Sequence, residues 1–265
     1  MVPLTAGNTR VKEARKLHRR SARSERRCFL ADGPKAVEGA LRVPGCVVEV
    51  FATPAAAAEH ADLLGAVAVT LVDDRAMGGL SDSVSPAGVV AVCRFLADVE
   101  AAGPRPTRGD RLVTICADVR DPGNAGTVVR TTDAAGGDAV VLAGESVDPY
   151  NPKTVRATVG SLFHLPVVVE RDPAAAVRAA QAAGLTVLAA DGGGEVDLFD
   201  REAEPLLAGP TAWLFGNEAW GLPEELAALA DHRVRIPILG AAESLNLATA
   251  AAVCLYASAR AMMDR

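Results

Sequence analysis

The sequence predicts an α/β fold in two parts, a C-terminal parallel-sheet domain preceded by a smaller N-terminal α/β domain. Short apolar runs of strand length alternate with helix-length patterns along most of the chain. Residues 97–110, which hold several Gly and Pro, interrupt this alternation and are typical of a linker. We therefore expect domains at residues 1–96 and 111–265. At 265 residues and 50% hydrophobic content, the chain is long enough to bury two cores.

The predicted first domain starts with a helix and continues as strands alternating with helices. Asn8 is a typical N-cap and predicts a helix to about Ser21, because Val11, Ala14 and Leu17 repeat at helical spacing. The elements expected next are strands at Cys28–Leu30, Val47–Phe51, Val67–Val72 and Val89–Phe95, with helices from Pro34, at Pro54–Leu64 and at Arg75–Leu80. Short connections between them indicate a compact α/β sandwich.

The predicted second domain repeats the alternation with strands that are apolar throughout. The expected strands are Leu112–Ala117, Ala139–Leu142, His164–Val169, Thr186–Ala190, Thr211–Phe215 and Val234–Ile236. The expected helices are Asn124–Ala135, Pro152–Thr158, Ala174–Ala183, Pro223–Ala230 and Ser244–Met263. Continuous apolar strands of this kind indicate a parallel sheet that is covered on both faces.

The charge of the chain is unevenly distributed. Its net charge is −6, but from residue 10 to 27 nine basic residues accompany two acidic ones, a local charge of +7 that leaves about −13 elsewhere. Such a block is typical of a surface that binds a polyanion, although a solvated helix face has the same composition. The candidate RNA-binding residues are Arg10, Lys12, Arg15, Arg19, Arg20, Arg23, Arg26 and Arg27.

The sequence lacks the signature motifs of several classes of enzyme. The sequence has no GxGxxG fingerprint and no GxxxxGK[ST] loop, which argues against a dinucleotide-dependent dehydrogenase or a P-loop kinase. None of the five cysteines forms a CxxC pair, and no His/Cys cluster has metal-ligand spacing, so we expect no metal and reduced, mostly buried thiols. No apolar run of about 18 residues and no signal peptide is evident, so we expect a cytoplasmic protein without a membrane span.

Three polar stretches follow predicted strands in the second domain. The first runs from Asp121-Pro122-Gly123-Asn124 to Arg130, the second from Leu214-Phe215-Gly216-Asn217-Glu218 to Gly221-Leu222, and the third from Ile236-Pro237-Ile238 to Ser244-Leu245-Asn246. Taken singly, each has a plain explanation, since Asn124 and Ser244 are good N-caps and Glu218 suits a helix start. As an ordered set with this spacing, they resemble motifs 1, 2 and 3 of the SpoU/TrmH family of RNA ribose methyltransferases.

The resemblance covers residues 111–265 and, more loosely, residues 1–96, which look like the ribosomal-protein-like RNA-binding domain often found ahead of SpoU domains. It implies a SPOUT parallel-sheet domain whose C-terminal segment forms a deep trefoil knot. It also implies S-adenosylmethionine as cofactor, held mainly by backbone groups of the motif loops. The candidate cofactor-binding residues are Leu214, Gly216, Asn217, Ile236, Ile238, Ser244 and Leu245.

The resemblance further implies the catalytic residues and the reaction, transfer of a methyl group to a ribose 2′-hydroxyl. The candidate catalytic residues are Arg130, Asn124, Glu218, Ser244, Asn246 and Arg156. Arg130 is proposed in the family as a base, but a guanidinium stays protonated in proteins, so we expect it to hold a phosphate and stabilise the developing alkoxide. Arg156, within the family-like stretch from Tyr150, is expected on the RNA phosphate or at a dimer partner.

The expected partners are RNA and a second copy of the chain. SPOUT enzymes are homodimers with the final helix at the interface, and the stripe Leu247, Ala250, Ala251, Cys254 and Leu255 fits either an interface or a core. The separate N-terminal domain favours ribosomal RNA over tRNA. A catalytically inactive RNA-binding protein on the same scaffold is the remaining alternative, against which the retained motif residues argue.

Overall fold

The computed structural model describes residues 2–99 and 106–263, which form two compact units. The first unit contains residues 1–102 together with 148–164, and the second contains residues 103–147 and 165–265. The predicted linker at residues 97–110 falls partly on 100–105, outside the described residues. Each unit has its own sheet, which agrees with the predicted α/β class.

The first unit is built on a four-stranded mixed sheet of order β1-β4-β2-β3. Its strands are β1 (Cys28–Asp32), β2 (Val47–Ala52), β3 (Val69–Leu71) and β4 (Val89–Arg94). Strand β4 runs antiparallel to β1 and β2, whereas β2 and β3 are parallel. Helices α1 (Thr9–Arg15), α2 (Arg20–Arg26), α3 (Pro34–Arg42), α4 (Pro54–Glu59), α5 (Ala61–Leu64), α6 (Asp74–Leu80) and α7 (Leu96–Val99) join and cover these strands.

The N-terminal helix is interrupted, unlike the single helix expected to about Ser21. Asn8 does cap it, accepting from the Arg10 backbone N–H, but α1 ends in a 3₁₀ turn and Arg19 is extended before α2 starts. The carbonyls of Leu17 and His18, freed by the break, each accept a 2.9 Å hydrogen bond from the Arg23 guanidinium. A buried side chain therefore stabilises the break.

Residues 148–164 pack with the first unit, although the sequence predicts them in the second domain. Helix α9 (Pro152–Thr158) lies in this segment. The Tyr150 ring stacks on Phe95 with centroids 4.1 Å apart and lies 4.6 Å from Phe29, and its hydroxyl accepts from the Leu96 N–H. Burial raises the pKa of Tyr150 to about 12. These contacts join positions far apart in sequence, which local patterns do not reveal.

The second unit contains a seven-stranded parallel sheet of order β7-β6-β5-β10-β8-β11-β9. Its strands are β5 (Leu112–Ala117), β6 (Ala139–Ala143), β7 (Val167–Glu170), β8 (Thr186–Ala190), β9 (Val196–Asp197), β10 (Thr211–Phe215) and β11 (His232–Arg235). The helices are α8 (Pro122–Ala134), α10 (Pro173–Ala183), α11 (Glu204–Ala208), α12 (Glu224–Ala227) and α13 (Leu247–Met263). Apolar clusters lie on both faces of this sheet, which confirms the predicted covered parallel sheet.

Candidate functional site

The structure brings together three polar side chains from the three motif loops. Asn124 Nδ2 donates to Glu218 Oε1 at 3.3 Å, and Asn246 Nδ2 donates to Asn124 Oδ1 at 3.1 Å. These residues follow β5, β10 and β11, so the chain positions them at the carboxyl ends of parallel strands. We call Asn124, Glu218 and Asn246 the amide–carboxylate cluster.

Glu218 connects the second motif loop to the start of α8. Its carboxylate accepts from the backbone N–H groups of Asp121 at 3.1 Å and Arg120 at 3.3 Å, in addition to the Asn124 amide. Asp121 itself caps α8 by accepting from the Asn124 N–H at 2.8 Å. Negative charge is favourable at a helix N-terminus, because the backbone N–H groups there have no partner within the helix.

Two helix caps differ from the sequence expectation. Asn124 is the third residue of α8 and Asp121 is its cap, whereas we expected Asn124 at the cap. Helix α13 begins at Leu247, and Asn246 caps it by accepting from the Ala248 and Thr249 N–H groups, so Ser244 is not the cap. In both cases the Asn side-chain amide still reaches the cluster. Asn246 accepts from the α13 backbone through Oδ1 and donates to Asn124 through Nδ2.

The turn after β10 is rigidly built. Asn217 and Gly221 exchange two 2.9 Å backbone hydrogen bonds, and the Asn217 side chain donates to the Asp118 carbonyl at 2.6 Å and accepts from the Ala219 N–H at 2.8 Å. A Cβ at Gly216 would lie 2.3 Å from the Gly221 backbone, so only glycine permits this approach.

A cleft of about 330 Å³ opens beside this turn. Six of the seven predicted cofactor-binding residues line it, namely Gly216, Asn217, Ile236, Ile238, Ser244 and Leu245. The seventh, Leu214, does not: it pairs with Ile115 and Ala189 inside the sheet and its side chain is fully buried. Phe215, one residue later, is the residue of β10 that lines the cleft.

The lining of the cleft suits a cofactor with an apolar ring system and a polar amino-acid part. Ile238 and Leu245 are partly exposed there, each 38% accessible, beside the polar groups of Glu218 and Ser244. A loop wall of this kind offers backbone donors and acceptors, which leave no side-chain trace in a sequence. S-adenosylmethionine has this chemistry, so the residues present fit it.

Sequence reasoning missed Asp191 and Gly192, which also line the cleft at the end of β8. Burial alone would raise the pKa of Asp191, but hydrogen bonds from the Gly193 N–H and the Arg233 guanidinium lower it below its usual value. Arg233 Nη2 lies 2.6 Å from Asp191 Oδ2 and also bonds Glu224. Three glycines at 192–194 indicate a turn by themselves, and the Asp that precedes them at the strand end is the signal that the sequence offers.

The two candidate arginines lie in different surroundings. Arg130 is exposed on α8, and no hydrogen bond or ion pair engages its guanidinium within residues 2–99 and 106–263. Arg156 belongs to the first unit, where its guanidinium lies 3.7 Å from the carboxylates of Asp32 and Asp82. The structure therefore leaves Arg130 available for a ligand, whereas Arg156 already has two acidic neighbours.

The basic segment, residues 10–27, contains cations of two kinds. Arg23 is 2% exposed and donates to Asp148 at 2.6 Å as well as to two carbonyls, so it is structural and leaves the set of RNA-binding candidates. Arg10 pairs with Glu49, and Arg27 pairs with Asp98. Arg26 donates to the Glu13 carbonyl at 2.8 Å. Four exposed cations have no ion pair within the described part of the chain: Lys12, Arg15, Arg19 and Arg20.

Within the described residues no disulfide joins any of the five cysteines, and four of them are buried, Cys28 being the exception. Burial raises the pKa of Cys116 to about 12, and the charge of Glu218 adds to the effect. Across residues 2–99 and 106–263 no group of three or more His, Cys, Asp or Glu side chains could hold a metal ion. In the same residues no helix has the length and apolar character needed to cross a membrane.

Comparison with known proteins identifies both parts of the chain. Residues 111–256 match the SpoU rRNA Methylase family, and residues 8–91 match the MRM3-like substrate binding domain. The 23S rRNA (guanosine(2553)-2'-O)-methyltransferase RlmP of Bacillus subtilis (strain 168) is 33% identical over 255 residues, 95% of this chain and 96% of the relative. A 23S rRNA (uridine(2479)-2'-O)-methyltransferase of Streptomyces viridochromogenes is 38% identical over 66% of this chain and 61% of its own length.

Solved structures show the same architecture. A crystal structure of an RNA 2'-O ribose methyltransferase superimposes with a TM-score of 0.85 at 29% identity, covering 99% of this chain and 100% of that one. The SpoU methyltransferase AviRb from Streptomyces viridochromogenes, in complex with AdoMet, gives a TM-score of 0.80 at 31% identity, covering 96% and 97%. An AdoMet-bound rRNA methyltransferase from Sinorhizobium meliloti gives 0.79 at 33% identity, covering 98% and 97%.

Proposed function

The chain belongs to the SpoU rRNA methylase family and is an S-adenosylmethionine-dependent RNA 2′-O-methyltransferase, and we propose that its substrate is ribosomal RNA. We propose further that Arg130 assists the transfer by its charge and that the amide–carboxylate cluster orients the reacting groups. The single observation that supports these residues is the convergence of Asn124, Glu218 and Asn246, one from each motif loop, beside the cleft.

The residues of the site would act on the acceptor by charge and position. Bound S-adenosylmethionine supplies the methyl group. A ribose hydroxyl is a weak nucleophile at neutral pH, so its developing negative charge needs a cation. Arg130 is exposed, and its guanidinium would stabilise the alkoxide and hold the adjacent phosphate. The hydroxyl proton would leave to a phosphate oxygen or water.

The amide–carboxylate cluster would orient rather than react. Glu218 holds the backbone at Arg120 and Asp121 and accepts from Asn124, so it fixes one motif loop against another. Asn246 fixes the start of α13 in the same way. Ser244 lines the cleft and would face the cofactor. Correct alignment of acceptor and methyl donor lowers the barrier by avoiding reorganisation.

The N-terminal unit would bind the RNA, with ribosomal RNA preferred over tRNA. The relatives from Bacillus subtilis and Streptomyces viridochromogenes named above by their activity are 23S rRNA methyltransferases. The exposed cations Lys12, Arg15, Arg19 and Arg20 would neutralise phosphates. Arg156 would contribute through the packing of its segment, since Asp32 and Asp82 already lie beside it. We further propose that the protein works in the cytoplasm, because the relatives named above include enzymes that modify ribosomal RNA.

The homodimer and the trefoil knot remain predictions from the family. Within the predicted stripe of α13, Ala251, Cys254 and Leu255 are buried in the core, so this part of the stripe serves the fold of one chain. Tyr256 and Met263 are 53% and 83% exposed on the same helix and offer a surface for a second copy. Sedimentation of the purified protein would show a dimeric mass if α13 forms the interface.

The experiment that tests the proposed substrate compares two RNA pools. Unmodified ribosomal RNA and unmodified tRNA are incubated separately with the protein and labelled S-adenosylmethionine, and nucleosides are analysed by mass spectrometry. A labelled 2′-O-methylnucleoside in the ribosomal pool is expected. Label only in tRNA would overturn the substrate assignment, and no label in either pool, with cofactor binding confirmed, would favour the inactive RNA-binding alternative.

A further inference from the structure

Trp220 is a half-exposed indole at the edge of the candidate site. The chain has two tryptophans, and the other, Trp213, is fully buried and donates its indole N–H to Ser258 at 2.9 Å. Trp220 is 55% exposed, although indole is the largest aromatic side chain and usually buries most of its surface. Its neighbours Ala219 and Gly221 both line the cleft, so the ring lies one residue from the cleft wall.

The turn that carries Trp220 holds it in a fixed place. Residues 217–221 form a closed turn through the reciprocal backbone hydrogen bonds of Asn217 and Gly221. Gly221 has a φ of +70°, which a side chain rarely adopts, and Gly216 packs against its backbone. The indole is therefore presented from a rigid backbone, which limits the entropy lost when a ligand binds to it.

Arg120 lies against the Trp220 ring. The Arg120 guanidinium carbon is 5.3 Å from the ring centroid, within the range of a cation–π contact. The Arg120 backbone N–H donates to Glu218 at 3.3 Å, so the same residue is tied to the amide–carboxylate cluster. Arg120 is itself exposed, so a positive charge lies beside an exposed aromatic ring. This pair of groups suits a nucleotide, because its base can stack on the ring and its phosphate can contact the charge.

We propose that Trp220, supported by Arg120, is a stacking platform for a nucleobase of the RNA beside the reacting ribose, an inference that rests on the proposed function. Unpaired bases are bound by stacking on aromatic side chains, and stacking tolerates any base. A base held on Trp220 would be fixed one residue from the cleft wall that Ala219 and Gly221 form. Trp220 is thus a positioning residue that fixes the acceptor nucleotide and does not touch the methyl donor.

Intrinsic fluorescence tests the stacking directly, because only one of the two indoles is accessible. The probes are a single-stranded oligoadenylate and an abasic ribose-phosphate oligomer of equal length, each added to protein saturated with S-adenosylhomocysteine. We expect the oligoadenylate to quench the emission of Trp220, the abasic oligomer to leave it unchanged, and the Trp220→Phe variant, which retains Trp213, to show no quenching. Equal quenching by both oligomers would overturn stacking in favour of a charge contact.

Turnover of an unmodified 23S rRNA transcript distinguishes stacking from a structural role. We expect Trp220→Ala to raise KM for RNA about 5- to 100-fold while the Kd of S-adenosylmethionine stays unchanged, and Trp220→Phe to restore most of the loss. Wild-type kinetics in Trp220→Ala, or a changed oligomeric mass with unchanged KM, would overturn the inference. If the wild-type protein itself transfers no label, the proposed function fails, and the fluorescence result still decides whether Trp220 stacks on bases.

Discussion

Sequence patterns indicated the residues of both the amide–carboxylate cluster and the basic segment, but the two sets differ in the contacts that they make in the structure. Asn124, Glu218 and Asn246 come from distant parts of the chain and bond to one another. The cations of residues 10–27 are adjacent in sequence, but Arg23 is buried, and Arg10 and Arg27 are paired with acids of their own unit. An ordered motif set thus predicts convergence, whereas a charge count overestimates the cations available to a ligand.

The largest effect is expected at Arg130, the residue that we propose stabilises the developing alkoxide. Arg130→Ala removes the cation expected to stabilise the developing alkoxide and should lower kcat by at least about 100- to 1,000-fold. The Kd of S-adenosylmethionine, measured by calorimetry, should not change, because Arg130 does not line the cleft. Turnover close to wild type would contradict the assigned role, and Arg178→Ala on α10, another exposed arginine of the same unit, is the control.

The buried arginine of the basic segment should affect stability rather than binding. Arg23→Ala leaves Asp148 without its partner and frees the carbonyls of Leu17 and His18. We expect a loss of about 3–5 kcal/mol in the free energy of unfolding, measured by urea denaturation. Lys12→Ala, an exposed cation on the neighbouring helix, should leave that free energy within about 0.5 kcal/mol of wild type. Equal free energies of unfolding for the two variants would contradict a structural role of the buried Arg23.

Within the cluster, the two amides should act as a unit. Asn124→Ala and Asn246→Ala each break the 3.1 Å hydrogen bond between them, so the double variant should lose less than the sum of the single losses. We expect a coupling of about 1 kcal/mol in kcat/KM, close to the net contribution of one hydrogen bond. Additive losses would mean that the two side chains contribute independently.

The exposed cations should produce a smaller, salt-dependent effect. Changing Lys12, Arg15, Arg19 and Arg20 to Gln should weaken RNA binding and reduce the slope of log K against log salt by about 0.7 per lost phosphate contact with single-stranded RNA. Filter binding at several salt concentrations measures this slope. Changing Arg10 and Arg27 instead should reduce it less, because their guanidinium groups have internal acid partners. An identical reduction would remove the distinction between free and paired cations.

The smallest effect concerns pH and Asp191. The pKa of this carboxyl is lowered in the folded protein, although burial opposes the change, because Gly193 and Arg233 donate to it. Its contribution to stability is therefore present above its ordinary pKa of 3.8 and is lost as the pH falls through the lowered folded value. Thermal unfolding of wild type and Asp191→Asn should differ at neutral pH and converge below about pH 4. A constant difference over that range would contradict the lowered pKa.

Much of the secondary structure of the second unit could be predicted because short windows of sequence specify each element. Apolar strands and the glycine at 184, which ends α10 with a φ of +93°, are readable from short windows of sequence. The motif residues Gly216, Ile236 and Leu245 were assigned to one cleft because a resemblance supplied the long-range arrangement. Leu214 lies one residue outside the lining of this cleft, and a sequence does not reveal where a strand's hydrogen-bond pairing ends.

What could not be predicted depends on partners far away in the sequence. Arg23 is buried because Asp148 lies beside it, 125 residues later, and the aromatic contacts of Tyr150 join residues 148–164 to the first unit. The caps at Asp121 and Asn246 were missed because neighbouring polar residues have a similar preference for the N-cap position of a helix. In each case a tertiary contact selects among local alternatives of similar energy.

The most direct test of the distinction between the proposed catalytic residues and the basic segment is single-turnover methyl transfer at increasing concentrations of unmodified 23S rRNA. The variants compared are Arg130→Ala and the Gln variant of Lys12, Arg15, Arg19 and Arg20. Our account predicts that saturating RNA restores the rate of the Gln variant to near the wild-type value and leaves Arg130→Ala slow at every concentration. Rescue of Arg130→Ala by RNA, or a slow Gln variant at saturation, would contradict it.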